Sequence, residues 1–390
     1  MSEQAPPPPP SSDPPPAPDA EAPQSQTATR DKKFPCRNCG AEMQFDPTAA
    51  AITCPYCGHE NVIPRSEEDI EELDFHAFLA RAEQSEQSEQ SQAVQCNACG
   101  AETSLEPNTA ADSCPFCGGA LISQAHTVTK IRPRSLLPFA VSREEAFAAF
   151  QQWVRSRWFA PNKLKQYARA DTSRLSGVYV PYWTYDSNTT SWYTGQRGDH
   201  YYVTESYTTT ENGKTVTKTR QVRKTRWTSV SGVVWRNFDD ILILASKSLP
   251  KKYADRLEPW DLDNLTNYDE QYLPGFRAET YQIDLAEGFD QAKDVMASQI
   301  RTDVRHDIGG DEQRIHSVRT QHDDVTFKHL LLPVWISAYR FGEEVYRFLV
   351  NARTGEVQGE RPWSWIKIAL AVLAVLAVVA VIACFVTQNR

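Results

Sequence analysis

The longest uniformly apolar stretch of the chain is Ile368 to Val386, nineteen residues without a charge. At 1.5 Å per residue such a helix spans roughly 28 Å, close to the hydrocarbon thickness of a bilayer. The pattern predicts a transmembrane helix over 366–386, with Trp363, Trp365 and Lys367 at headgroup level. Elsewhere the apolar positions recur with the periods of ordinary elements. Ser66-Glu67-Glu68-Asp69 reads as an N-cap with acids in the first turn, and Ile70, Leu73, Phe75, Phe78 and Leu79 give the following helix an apolar face. Ser142-Arg143-Glu144-Glu145 caps a second helix, on which Ala146, Phe147, Phe150, Val154 and Trp158 fall at helical spacing. A third helix spans roughly Leu285 to Val304. Gly177-Val178-Tyr179-Val180-Pro181-Tyr182-Trp183 alternates like a strand with proline at an edge or bulge, and Leu330-Leu331-Leu332-Pro333-Val334-Trp335 repeats its hydrophobic-Pro-hydrophobic-Trp order. Each follows a helix, which predicts two helix-then-strand halves of one α+β domain over 131–361.

Between these strands, His200 to Val234 reads as a long β-ribbon turning at Asn212-Gly213. Registering the strands on that turn places Glu205 opposite Arg220 and Tyr207 opposite Lys218. The outgoing strand carries Lys214, Lys218, Arg220, Arg223, Lys224 and Arg226, and the incoming one Tyr201, Tyr202 and Tyr207. Such a basic, aromatic patch suits anionic headgroups or nucleic acid; a solvated hairpin balanced by local acids is the plainer account. Tyr346 to Val357 predicts a closing hairpin.

Residues 1–30 are dominated by Pro, Ser, Ala and Gln, with a run from Pro6 to Pro10, and predict a disordered, partly polyproline II tail. No charged n-region and apolar h-region open the chain, so no secretory signal is expected. Glu83 to Gln90 is a low-complexity tract, and 65–93 reads as a helix followed by flexible linker.

The cysteines carry the sharpest signal. Cys36-x-x-Cys39 and Cys54-x-x-Cys57 are followed by Cys96-x-x-Cys99 and Cys114-x-x-Cys117, with fourteen residues between the pairs in both copies. Gly40-Ala41-Glu42 recurs as Gly100-Ala101-Glu102 and Pro47 as Pro107, all at an offset of sixty, so the segment is duplicated. Two thiolates two residues apart fit one tight turn, four of them suit a tetrahedral zinc ion, and the glycine after each pair lets the turn take positive φ. The spacing predicts two four-cysteine zinc ribbons, over 31–64 and 94–122, each holding one Zn2+ with no open ligand position. A segment of about thirty residues is too small to fold on its own core, so the metal is read as structural. Iron held as in rubredoxins is the second choice, and disulfides would need an oxidising compartment.

The net charge of −9 is unevenly divided: residues 1–120 hold 6 Lys and Arg against 20 Asp and Glu, whereas 121–362 hold 33 against 30. Zinc ribbons that grip nucleic acid need cations against phosphates, yet no Lys or Arg lies between Val94 and Ile122. Protein recognition is therefore the better expectation for the ribbons. Catalytic signatures are missing from the sequence. Gly213-Lys214-Thr215 lacks the upstream glycine of a phosphate loop, Pro35-Cys36 has no deaminase His-x-Glu partner, and His306, His316, His322 and His329 show no H-E-x-x-H spacing and read as polar loop residues. The chain is not expected to be an enzyme.

The duplicated ribbon, Leu137-Pro138-Phe139, Gly177 to Trp183 and the closing span together resemble a family of bacterial double zinc-ribbon membrane proteins over about residues 34–386. Members are often labelled primosomal protein N′ (replication factor Y) or helicase-like, although this chain shows none of a helicase's nucleotide-binding elements. Some relatives occur with phage-shock and SPFH-domain proteins, which implies an envelope-stress scaffold recruiting such partners. The resulting expectation is a tail-anchored adaptor whose bulk faces the cytoplasm at a bacterial inner membrane, since reduced thiolates belong there and Arg361 and Lys367 flank the span. The alternative is a membrane-tethered nucleic-acid-binding protein using the hairpin 214–226.

Overall fold

The computed structural model describes residues 34–64, 70–82, 88–104, 111–122, 126–159, 161, 175–211, 213–341, 344–360 and 364–388. The expectations for the tail 1–30 and for the cap at Ser66 to Asp69 lie outside them. The first cysteine module forms a three-stranded antiparallel sheet, β1 (Gln44–Asp46), β2 (Ala51–Thr53) and β3 (Glu60–Val62). β4 (Leu73–Asp74) leads into α1 (Phe75–Ala82). The second module contains β5 (Ser88–Gln95), paired with β6 (Glu102–Ser104) and β9 (His126–Ile131), and a small hairpin of β7 (Ala111–Ser113) and β8 (Ala120–Ile122). Part of the tract expected to be linker is thus a strand, its backbone groups taken up by β9.

β10 (Ser135–Leu136) and α2 (Arg143–Ser156) precede two very long strands, β11 (Ser176–Glu211) and β12 (Lys214–Leu244). α3 (Lys251–Ala254), β13 (Thr266–Asn267) and β14 (Arg277–Ala278) connect these to α4 (Leu285–Ile308) and a third long strand, β15 (Glu312–Phe341). β16 (Glu344–Asn351), β17 (Val357–Gly359) and α5 (Trp365–Gln388) follow. The main sheet runs β12-β11-β15-β10-β13, with β16 added along β15 and β17 along β16. Its long pairings are antiparallel, as expected, but β10 on β15 and β14 on β11 are parallel, so the sheet is mixed.

The two proline-bearing strands lie side by side, Val180 opposite Leu332, Pro181 opposite Leu331 and Tyr179 opposite Pro333. Alternation along them sorts the core into faces. Val178, Val180, Tyr182, Leu330, Leu332 and Val334 share one apolar cluster with Cys96, Cys114 and Phe116 of the second module. Tyr179, Leu331 and Trp335 on the opposite face share theirs with Phe150 and Val154 of α2 and with Phe45, Ile52 and Cys54 of the first module. Further along that face, Trp183, Tyr185 and Phe327 meet α1 and α4. The two modules therefore flank the sheet from opposite sides.

α4 keeps its apolar stripe for a full turn beyond the expected end, through Val304 to Ile308, and stops at Gly309 with φ of 65°. Its N-cap Asp284 accepts a hydrogen bond from the Glu287 N–H at 2.8 Å. Opposite Asp186 and Ser187 of β11, β12 and β15 each carry one extra residue, absorbed where Asp240 and Asp324 take φ near 50°, and β15 carries a second, His316, between the partners of Thr194 and Gly195. All three long strands run together as far as Gly198 opposite Glu312, after which only β11 and β12 continue to the turn. At roughly 3.3 Å per residue, the 36 residues of β11 cover on the order of 115 Å.

Three expectations need correction. Ile70 and Leu73, expected on the apolar face of the first helix, precede it: α1 begins only at Phe75, and Leu73 pairs with Phe327 as part of β4. The capping box of α2 is present, Glu145 N–H to Ser142 Oγ and Ser142 N–H to Glu145 Oε2, but the helix ends at Ser156 and Trp158 turns outward at 77% exposure instead of joining the apolar face. His306 lies on α4, and His316, His322 and His329 are spread along β15, so they are neither loop residues nor a cluster.

Candidate metal centres

Each cysteine pair closes the same turn. Gly40, Gly58, Gly100 and Gly118 donate their N–H groups to the carbonyls of Cys36, Cys54, Cys96 and Cys114 at 2.8–2.9 Å, with φ between 69° and 75°. A side chain at such φ is strained, which accounts for glycine at all four positions. The turns stand face to face within each module. Cys36 Sγ lies 3.5 Å from Cys57 Sγ and Cys39 Sγ 3.5 Å from Cys54 Sγ; the corresponding pairs in the second module, Cys96 with Cys117 and Cys99 with Cys114, lie at 3.6 Å. All four sulfurs of each cluster fall within 4.8 Å of one another. Metal–sulfur bonds of about 2.3 Å in a tetrahedron place sulfurs roughly 3.8 Å apart, so both clusters have zinc-binding geometry. None of the eight is in a disulfide.

Four thiols this close cannot all ionise without a cation among them. The His59 backbone N–H brings Cys57 down to about 6, while at Cys39 the lowering by the Ala41 N–H is outweighed by hydrogen bonds to the Cys54 and Cys57 sulfurs, which push it up to about 12. In the second cluster the bond between Cys99 and Cys114 brings Cys99 down to about 5 and drives Cys114 up. A divalent cation resolves this division of protons by taking all four groups as thiolates. The donor set of four sulfurs suits zinc or iron.

The clusters differ in their surroundings. Cys39 and Cys57 are exposed, whereas Cys99 and Cys117 are partly buried. Between the cysteines of the second knuckle in each module, Tyr56 is 82% exposed and Phe116 is 0% exposed. The second module is also tied to the sheet domain by hydrogen bonds to its carbonyls: Thr280 N–H donates to Glu102 O at 3.1 Å, and the side-chain Gln282 Nε2 donates to Gly100 O at 2.9 Å. The first is held by Phe45, whose N–H donates to Pro274 O at 3.0 Å and whose ring packs 5.3 Å from Tyr272. Sequence reasoning found all eight cysteines but missed this asymmetry. The signal was available, because a tyrosine in one copy and a phenylalanine in the other differ by the polar group that full burial disfavours.

The basic hairpin has the expected register, Glu205 opposite Arg220 and Tyr207 opposite Lys218. Lys214, Lys218, Arg220, Lys224 and Arg226 share one face with Tyr201 and Tyr207, leaving Arg223 and Tyr202 on the other among Thr and Ser side chains. Glu205 accepts from Lys224 at 3.0 Å and lies 3.6 Å from Arg220, so part of the charge is balanced locally. Among the described residues, none from 199 to 226 is buried.

Near the second module, Glu279 is a wholly buried carboxyl that accepts hydrogen bonds from Ser246 and Ser248 through Oε1, while Oε2 has no partner. Burial raises it to about 8. α5 is the one helix among the described residues long and apolar enough to cross a membrane: 21 residues with mean hydropathy 3.2 and no part of that window buried. It has the length and composition of a membrane span.

The chain is 28% identical, over 339 residues, to the uncharacterized protein YdjG of Bacillus subtilis (strain 168), covering 86% of this chain and 92% of that one. No family model matches the chain. No solved structure matches it either.

Proposed function

We propose that this protein is a zinc-binding membrane adaptor, with α5 anchoring it and the first cysteine module, a zinc ribbon, offered to a cytosolic protein partner. The observation that carries this reading is the contrast between equivalent residues: Phe116 is buried in an apolar cluster with Val178, Val180 and Leu332, whereas Tyr56 stands at 82% exposure. The duplication thus displays, in one copy, how this knuckle is covered, and leaves the same knuckle open in the other. Two C-x-x-C turns bring a rigid, metal-fixed aromatic to the surface at little cost in side-chain entropy. Reduced thiolates favour the cytosolic side of the membrane, and the acidic first module favours protein over nucleic acid. The family resemblance adds SPFH-domain and phage-shock proteins as the class of partner to look for first.

The test is a nuclease-treated, detergent-solubilised pull-down of the full-length protein beside Tyr56→Ala, with metal content measured on both. A partner lost from Tyr56→Ala at unchanged metal content supports the adaptor; an identical partner set for both proteins sinks it for this surface.

A second reading rests on the distal hairpin, where a cationic, tyrosine-bearing face projects beyond the three-stranded sheet. On this reading the protein is a membrane-tethered nucleic-acid binder. RNA or DNA affinity should then fall steeply with salt, and replacing Lys214, Lys218 and Arg226 by Gln should flatten that slope by about three counterions.

A further inference from the structure

We propose that the loop closing α2, Arg157 to Phe159, rides in the headgroup layer of the bilayer that α5 enters, with Trp158 as a second interfacial anchor beside Trp365. The inference rests on the membrane-anchor reading of α5 and adds to it a contact made by a part of the chain some two hundred residues away in sequence.

Trp158 is 77% exposed, while Trp365 and Ile366 at the start of α5 are 79% and 75% exposed. A tryptophan left this open on a folded domain wastes a large apolar surface in water, whereas at a membrane interface the indole body meets acyl chains and its N–H meets headgroups. The loop is held level with the first turn of the span. Ser364 N–H donates to Phe159 O at 2.9 Å, and Lys367 Nζ donates to Trp158 O at 3.4 Å. The depth of Trp158 is therefore coupled to that of Trp365.

Charge names the surface that covers it. From Ala146 to Phe159 there is no Asp or Glu, and Arg155 and Arg157 immediately precede Trp158, with Arg157 lying 5.0 Å over the Trp153 ring. Together with Lys367 they form a cationic rim around two tryptophans, the composition that anionic headgroups attract. The early end of α2 explains the outward turn: its last buried residue is Val154, the C-cap Arg157 is extended, and Trp158 is carried away from the Phe150 and Phe348 stack.

The experiment uses the full-length protein labelled with 5-fluorotryptophan, in nanodiscs containing phosphatidylglycerol, with and without a gadolinium-chelate lipid. Fluorine resonances of Trp158, Trp365 and Trp235 are assigned by Trp→Phe variants. Trp235, 74% exposed on the open sheet face, is the remote control, since its partner Thr190 lies fourteen residues up β11 from Ser176, roughly 45 Å at strand rise. The expected result is a several-fold broadening of Trp158 and Trp365 with Trp235 unchanged. Broadening of Trp365 alone overturns the proposal and leaves the anchor standing, with another protein surface as what covers Trp158. If neither Trp158 nor Trp365 broadens, both the proposal and the membrane-anchor reading fall.

Discussion

Tyr56 and Phe116 occupy the same position of a repeat offset by sixty residues, and the difference between them is one hydroxyl and a whole environment. Phe116→Ala empties a site enclosed by sheet side chains and is expected to lower stability by about 3–5 kcal/mol. Tyr56→Ala should stay within about 0.5 kcal/mol, because its ring touches mainly solvent. Denaturation midpoints of the two variants in the same detergent check this, and equal losses would mean that both knuckles are covered. Glu279 makes a prediction of a different kind. Its carboxyl is raised to about 8 when folded, against 4.5 in an unfolded chain, so unfolding between those pH values releases a proton. Stability should therefore fall as pH rises from about 5 to 8, and Glu279→Gln should flatten that decline. A variant with the wild-type slope would show that Glu279 is already ionised in the folded protein. The cysteines were legible in the sequence because metal chemistry fixes their spacing. Glu279 was not, since nothing local marks a carboxylate that three distant segments enclose.

At the scale of elements, α4 shows how packing overrides propensity. Glycine inside a helix ordinarily costs about 1 kcal/mol relative to alanine. Gly288, however, lies where the helix crosses β11: a Cβ there would strike the Tyr185 hydroxyl and come within 2.9 Å of Trp183 Cδ1. Those rings are pinned, Tyr185 donating to Leu285 O at 2.7 Å and Trp183 Nε1 donating to Ile283 O at 3.0 Å, so neither can swing aside cheaply. Gly288→Ala is expected to destabilise by about 1–3 kcal/mol, the reverse of its effect on an exposed helix. A thermal midpoint equal to or above wild type would show that the helix can lift off the sheet without loss. The apolar stripe of α4 and the hairpin register were readable because periodicity and the Asn212-Gly213 turn are local. The length of β11 was less so. Its stretch from Ser187 to Tyr193 places Ser187, Thr189, Ser191 and Tyr193 on the buried face against Asn188, Thr190 and Trp192 on the other, and the small polar side chains buried there give no hydrophobic period to detect. Trp158 failed for a related reason, because helical spacing persists past the point where a helix stops.

For the molecule as a whole, the question is whether the cysteine modules are passengers or parts of the fold. Their size and the tract between them suggest independent units on a flexible connection. The packing ties them to the sheet instead: Cys36 and Cys54 belong to the cluster of Tyr179 and Trp335, and Cys96 and Cys114 to that of Val178 and Val334. A metal ion in each four-cysteine cluster would hold that module's two knuckles together, and each module in turn covers one face of the sheet. Stripping the metal should therefore cost more than the modules themselves. A strong chelator is expected to lower the midpoint of a single unfolding transition, by roughly 2–4 °C for each kcal/mol lost in a domain of this size. Cys96→Ser with Cys99→Ser should reproduce much of that shift, since Phe116 and Cys114 lose the frame that presents them to the sheet. If a module instead melts alone while the sheet keeps its full midpoint, its burial contributes little to the domain, and the modules are passengers after all. The asymmetry of exposure adds an order to the process. Cys39 and Cys57 are open to solvent, so the first cluster should release its metal before the second, and a metal indicator added with the chelator should record two phases. An adaptor built this way would lose its exposed knuckle first, while the buried one still holds the sheet.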